Sequence, residues 1–222
     1  MNQQDTISPL SARQRFVKHA FDFGVALIGF VLTWWIMVLA VVIASADTRS
    51  FGLFAQTRIG AGGKKFTIYK VKTMRAGTQV TTTVTARNDP RVTATGKWMR
   101  KLKIDELPQL LNILLGQMSF VGPRPDVAGF MDRLEGGDRI ILTLRPGITG
   151  PATIKYRHEE AILASVPDPE TYNREVIFPD KVRINKEYIR NYTFAGDIRY
   201  ILQTVFPGRV PSDAESDMNI SV

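Results

Sequence analysis

The sequence predicts an α+β fold, mostly helical, with one short β-hairpin and an N-terminal helix inserted in a membrane. Three observations carry this expectation. Residues 23–46, FGVALIGFVLTWWIMVLAVVIASA, contain no charged side chain. Two strand-like runs around a glycine turn follow them, and the remainder alternates helical periods with proline and glycine turns. At 222 residues the chain is long enough for one sizeable core and an appendage, but short for two ordinary domains. The expected division is an amphipathic and membrane-inserted helix over 1–48, a folded body over 49–206 and a disordered tail over 207–222.

Charge and composition narrow the function classes. Lys and Arg number 29 against 21 Asp and Glu, so the surface favours phosphate-bearing partners: nucleic acid, anionic lipid or a phosphorylated small molecule. No nucleic-acid motif is present, and aromatic residues are not interleaved with the basic cluster, which argues against nucleic acid. The absence of cysteine excludes disulfides, thiolate metal sites and a cysteine nucleophile. His19 and His158 lie far apart, so no HExxH metal pair exists.

A helix over residues 23–46 would reach roughly 36 Å, against a hydrocarbon core of about 30 Å. Arg13, Arg15 and Lys18 precede it, mixed with Phe16, Val17 and Phe21 in the manner of an interfacial amphipathic turn. Ala44-Ser45-Ala46 has the form of a signal-peptidase site, but the apolar stretch is longer than the roughly 7–15 residues of a signal peptide. Positive charge flanks both ends, with Arg49, Arg58, Lys64 and Lys65 beyond it. A helix that enters and leaves on one side satisfies that pattern, whereas a straight span puts one basic cluster on the wrong side.

In the body, FGLFAQTRIGAGGKKFTIYKVKTM reads as two strands around a turn at Gly60–Gly63. Strand alternation places Lys70 and Lys72 on one face, either as a solvated edge or as an anion site. Residues 77–95 are polar and threonine-rich and read as a loop or weak strand. GKWMRKLK resumes a helical period, with Trp98, Met99 and Leu102 against Lys97, Arg100, Lys101 and Lys103. Asp105 and Glu106 then fall at or just before a helix that Pro108 opens and that ends near Gly116. Free N–H groups and the helix dipole should keep both carboxylates ionised there. As residues alone, the pair reads first as a structural helix start, an N-cap aspartate and a first-turn glutamate.

Two stiff turns follow. Gly122-Pro123-Arg124-Pro125 holds Arg124 outward between prolines, and LRPGITGP offers Arg145 with Gly147 and Gly150. A guanidinium presented in this way suits bidentate binding of phosphate.

QTRIG, FTIYKVKTM, NDPRVTATGKWMRKLKIDELPQLLNILLGQMSFVGPRP and LRPGITG, in this order behind a hydrophobic segment, resemble the bacterial sugar transferases known as monotopic phosphoglycosyl transferases. The resemblance runs from about Phe16 to Gly150, with a weaker tail in INKEYIRNYTFAGDIRYILQT. It implies an enzyme of the bacterial inner membrane, with its catalytic domain on the cytoplasmic face. That enzyme would move a phosphosugar from a UDP-sugar onto polyprenol phosphate, releasing UMP, as the first step of a lipid-linked glycan. It further implies that Asp105 is the nucleophile, that Glu106 joins it at a Mg2+ site, and that Lys70, Arg100 and Arg124 contact phosphate. The chain departs from the family pattern in three places. Leu32-Thr33-Trp34-Trp35 stands where a Ser-Pro pair commonly breaks the membrane helix into a re-entrant shape; Asn185 stands for a frequent aspartate; and residues 158–180 differ. The alternative to an enzyme is a membrane-anchored anion-binding or scaffold protein.

Overall fold

The computed structural model describes residues 7–75 and 91–207. Most of the expected loop over 77–95 and all but the first residue of the expected tail lie outside the described residues. The chain flanking the former is paired: Met74 bridges Val92, and Thr93 N–H donates to the Thr73 carbonyl at 3.1 Å.

Helix α1 (Ala12–Thr48) opens with a reciprocal cap in which Ser11 Oγ accepts from Gln14 N–H and Gln14 Oε1 accepts from Ser11 N–H. It closes at Arg49 in a left-handed conformation. Its 37 residues span about 55 Å, and it is long and apolar enough to cross a membrane. The helix runs unbroken through Leu32–Trp35. There Thr33 Oγ1 donates to the Gly29 carbonyl and Trp35 Nε1 to the Leu32 carbonyl, side-chain bonds that leave the helical ladder in place.

One narrow stripe of α1, Lys18, Asp22, Ala26, Met37, Ala40, Ala44 and Thr48, is buried against the rest of the chain. These positions recur at helical spacing, so both ends and the middle of α1 lie on the domain. The other faces expose Phe16, Phe23, Ile28, Leu32, Trp35 and Val42. At the N-terminal end Lys18 Nζ pairs with Asp197 Oδ2 at 2.6 Å, and Asp22 Oδ1 accepts from Phe120 N–H at 3.1 Å.

Strands β1 (Leu53–Ile59) and β2 (Lys65–Val71) form the expected antiparallel hairpin. Gly62 and Gly63 take positive φ in its turn, where only glycine is unstrained. Helix α2 (Ala94–Lys101), capped by Thr93, leads to a 3₁₀ turn over Ile104–Glu106 and then to α3 (Gln109–Leu114). Asn112 explains why this segment sits against β2. Its fully buried amide imitates a strand, accepting from Tyr69 N–H at 3.1 Å and donating to the Thr67 carbonyl at 2.7 Å. The open edge of β2 is thereby satisfied by a side chain.

Strand β3 (Ser119–Val121) pairs in parallel with β4 (Gly147–Thr149), so the two proline turns seen in the sequence lie side by side. Their glycines are required by contact. A Cβ on Gly147 would fall 2.2 Å from Gly122 N, and one on Gly122 would fall 2.5 Å from the Arg145 carbonyl oxygen. Both neighbours are backbone and cannot swing aside. Gly147→Ala is therefore expected to destabilise the protein by about 2 kcal/mol, read as a lower thermal unfolding midpoint.

The C-terminal part is helical: α4 (Pro151–Lys155), α5 (Glu159–Ala164), α6 (Pro169–Tyr172), α7 (Phe178–Arg190) and α8 (Phe194–Val205). A π-helical turn, Asn173–Ile177, joins α6 to α7 just ahead of Pro179, whose missing N–H and bulky ring disturb an α-helical register. Val121, Leu144, Tyr188, Ile189 and Tyr192 form one core cluster behind β3. Ala26, Ile68, Leu110, Ile113 and Met118 form another between α1, β2 and α3. The fold is α+β and mostly helical, with two small sheets.

Candidate active site

Asp105 and Glu106 occupy the 3₁₀ turn between α2 and α3 rather than the first turn of α3 itself. The turn is set by Lys103, which takes a left-handed conformation (φ 59°) where glycine is the usual residue. That backbone is uncommon for a long side chain and redirects the chain from α2 so that the two carboxylates follow at once.

Glu106 is gripped by two cations on the same oxygen. Arg124 Nη2 lies 2.9 Å and Lys70 Nζ 3.4 Å from Oε1. Burial opposes the charge on Glu106, but Arg124, Lys70 and Lys103 together outweigh it and hold the carboxyl at about 2. Glu106 in turn pushes the Arg124 guanidinium up, and burial of Lys70 pulls its ammonium down against the attraction of Glu106.

Asp105 is different. It is buried, its Oδ1 has no hydrogen-bond partner, and burial followed by the charge of Glu106 raises its pKa. Lys70, Lys103 and Arg100 act in the opposite direction without prevailing. The helix dipole expected from the sequence is not what distinguishes the two acids. The six-residue α3 begins after Pro108, and what separates the two acids is desolvation against a close guanidinium.

The structure brings together Lys70, Arg124 and Arg100 around the pair. Arg100 is held by Thr73 Oγ1 at 2.9 Å, close enough to act on Asp105. It does not bring Lys72 there. The strand ends at Val71, so alternation no longer governs the next residue, and Lys72 Nζ donates to Ser50 Oγ at 2.7 Å beyond α1. Arg145 is also elsewhere. Its guanidinium lies over Gly116, and the charge it faces is Asp22 on α1. Lys103 joins the site in their stead. Its only trace in the sequence is a lysine where a helix ends and a glycine would be expected.

The arrangement is one carboxylate with an unused oxygen, a second held ionised, and several fixed cations. A site so built can take an anion beside a nucleophilic oxygen. Among the described residues no three acidic or histidine side chains gather as a ready metal cage.

Comparison with known proteins agrees with this chemistry. A family model described as bacterial sugar transferase matches residues 13–208. A Bacillus subtilis (strain 168) protein, provisionally named undecaprenyl-phosphate N-acetylgalactosaminyl 1-phosphate transferase, is 36% identical over 146 residues, covering 60% of this chain and 82% of its own. The UDP-glucose:undecaprenyl-phosphate glucose-1-phosphate transferase of Escherichia coli (strain K12) is 32% identical over 209 residues, covering 91% of this chain. A UDP-N-acetylgalactosamine-undecaprenyl-phosphate N-acetylgalactosaminephosphotransferase of Aeromonas hydrophila is 30% identical and covers 92% of this chain. The chain spans 42% and 46% of the length of the latter two proteins, so they carry further sequence that it does not match. With the family model matched over nearly its whole length, the chain belongs to the bacterial sugar transferase family.

Proposed function

We propose that the protein transfers a phosphosugar from a UDP-sugar to undecaprenyl phosphate at the cytoplasmic face of the bacterial inner membrane, releasing UMP. The observation that carries this reading is Asp105 Oδ1, buried without a partner beside a Glu106 that Arg124 and Lys70 clamp. The names of the E. coli and A. hydrophila relatives supply the substrate class.

In the first step an Asp105 oxygen attacks the phosphorus that bears the sugar. The bond between the two phosphates breaks, UMP leaves with the bridging oxygen, and an acyl phosphate linking Asp105 to the phosphosugar remains. In the second step a phosphate oxygen of undecaprenyl phosphate attacks the same phosphorus. The aspartyl bond breaks, the carboxylate is restored, and the sugar leaves on a lipid diphosphate. A carboxylate approaching a diphosphate meets like charge, which Arg124, Lys70, Arg100 and Lys103 offset. One nucleophile used twice lets a water-soluble donor and a lipid acceptor react in turn.

Mg2+ fits the donor set. Asp105 Oδ1 is unused, and both cations on Glu106 take Oε1, leaving its second oxygen available. Two carboxylates completed by substrate oxygens are a usual Mg2+ environment. When bound there, the ion offsets the negative charge of the diphosphate.

The exposed apolar faces of α1 suit a lipid environment, while its buried stripe keeps the domain against the helix. Screening UDP-sugars with undecaprenyl phosphate and Mg2+ tests the reading. UMP release from at least one donor is expected. Release from none, with a folded and membrane-bound protein, would leave an anion-binding or scaffold role.

A further inference from the structure

We propose that Asp126 is a specificity-determining residue that accepts hydrogen bonds from hydroxyl groups of the UDP-sugar, on its ribose or its glycosyl ring. The inference rests on the donor reading above and deepens it.

Asp126 follows Arg124 by two residues in the turn that Pro123 and Pro125 stiffen, and each stands in the field of the other. Pro123 and Pro125 are buried, whereas Arg124 is exposed and Asp126 partly so. A donor whose diphosphate meets Arg124 carries a sugar on each end, so its hydroxyls come within reach.

Asp126 stands in the field of Lys181, Arg58, Glu159 and Arg124. Yet none of the three cations donates to it, although Arg58 Nε is itself buried without a partner. Lys181 gives its ammonium to both oxygens of Glu159 at 2.8 and 2.7 Å. Arg58 donates to the Pro125 carbonyl at 3.3 Å and to Gln56 Oε1 at 2.7 Å. Arg124 donates to Glu106 and to the Ile148 carbonyl. Among the described residues the Asp126 carboxylate accepts no hydrogen bond, although its own backbone carbonyl is fixed by Ile59 N–H at 3.0 Å. A rigidly placed acceptor without a donor, beside the anion-binding arginine, is the device by which a site reads hydroxyls.

The test compares wild type, Asp126→Asn and Asp126→Ala for UMP release across a panel of UDP-sugars, together with inhibition by UMP. Both variants are expected to keep kcat within about threefold and to raise the donor KM about 10-fold or more, as for loss of a hydrogen bond to a charged group. If the UMP inhibition constant rises in parallel, the ribose is read; if it is unchanged, the glycosyl ring is read, and the rank order of donors changes. Unchanged KM in both variants, or a fall in kcat alone with a lowered unfolding temperature, overturns the inference while leaving the donor reading intact. A wild type that releases UMP from no donor overturns the donor reading and this inference with it.

Discussion

Asp105→Asn is expected to abolish phosphosugar transfer, by on the order of 10³-fold or more, and at the same time to make the protein more stable. The first effect follows from chemistry, since an amide offers no anionic oxygen to attack phosphorus. The second follows from the environment. Burial, then Glu106, raises the pKa of Asp105 above its ordinary value, despite Lys70, Lys103 and Arg100. The folded state thus binds that proton more tightly than the unfolded chain does. Stability from this group is present at low pH and is lost as pH rises through the raised value, so at neutral pH the ionised carboxylate costs stability. Asparagine resembles the protonated form and removes that cost. A gain of about 1 kcal/mol corresponds to a rise of about 2–4 °C in the unfolding midpoint, measured with a chelator so that only the carboxylates are compared. An inactive variant that is also destabilised would mean that Asp105 is held for structure.

Lys18→Met is expected to lower stability more than any single change outside the active site. Lys18 and Asp197 side chains are each only 3% exposed and lie 2.6 Å apart. Removing one partner of a buried pair leaves an uncompensated charge, at a cost of about 3–5 kcal/mol. Here Asp197 keeps hydrogen bonds from Tyr188 at 2.6 Å and Tyr192 at 3.4 Å, which places the effect at the lower end. Burial pushes the Tyr188 hydroxyl far up, so it stays a donor. The expected fall in unfolding midpoint is about 10 °C. The double change Lys18→Met with Asp197→Leu should recover part of it, because the Asp197 charge goes with that of Lys18, while buried Asp22 still loses the Lys18 charge near it. The pair also holds the N-terminal end of α1 on the domain. Together with the burial of Ala40, Ala44 and Thr48, it keeps both ends of α1 packed against the rest of the chain. Single and double changes that destabilise additively would show the pair to be incidental.

Much of this is legible in the sequence. The hairpin follows from two apolar runs around Gly60–Gly63, and α2 and α3 follow from their helical periods. Pro123 and Pro125 announced a stiff turn around Arg124. What the sequence withheld lies between segments. Asn112 looks like one polar residue in a leucine run, yet it completes the edge of β2, because its partners Thr67 and Tyr69 are distant in the chain. Gly122 and Gly147 read as turn glycines, but their necessity arises where two turns touch. Arg145 shares the local chemistry of Arg124 and yet faces Asp22, since turn type fixes rigidity and not direction. Alternation groups Lys72 with Lys70, but that rule holds only while the strand lasts. Lys103 reads in the sequence as helix charge, because the point at which α2 stops depends on packing and not on composition.

The central claim is that Asp105 carries the phosphosugar between donor and acceptor. The direct measurement is mass spectrometry of the protein incubated with its UDP-sugar and Mg2+ in the absence of undecaprenyl phosphate. The expected result is one phosphosugar on the peptide containing Asp105, formed with an equal amount of UMP and discharged when undecaprenyl phosphate is added. A protein that turns over when undecaprenyl phosphate is present yet forms no adduct in its absence, or an adduct that persists in Asp105→Asn, would contradict it.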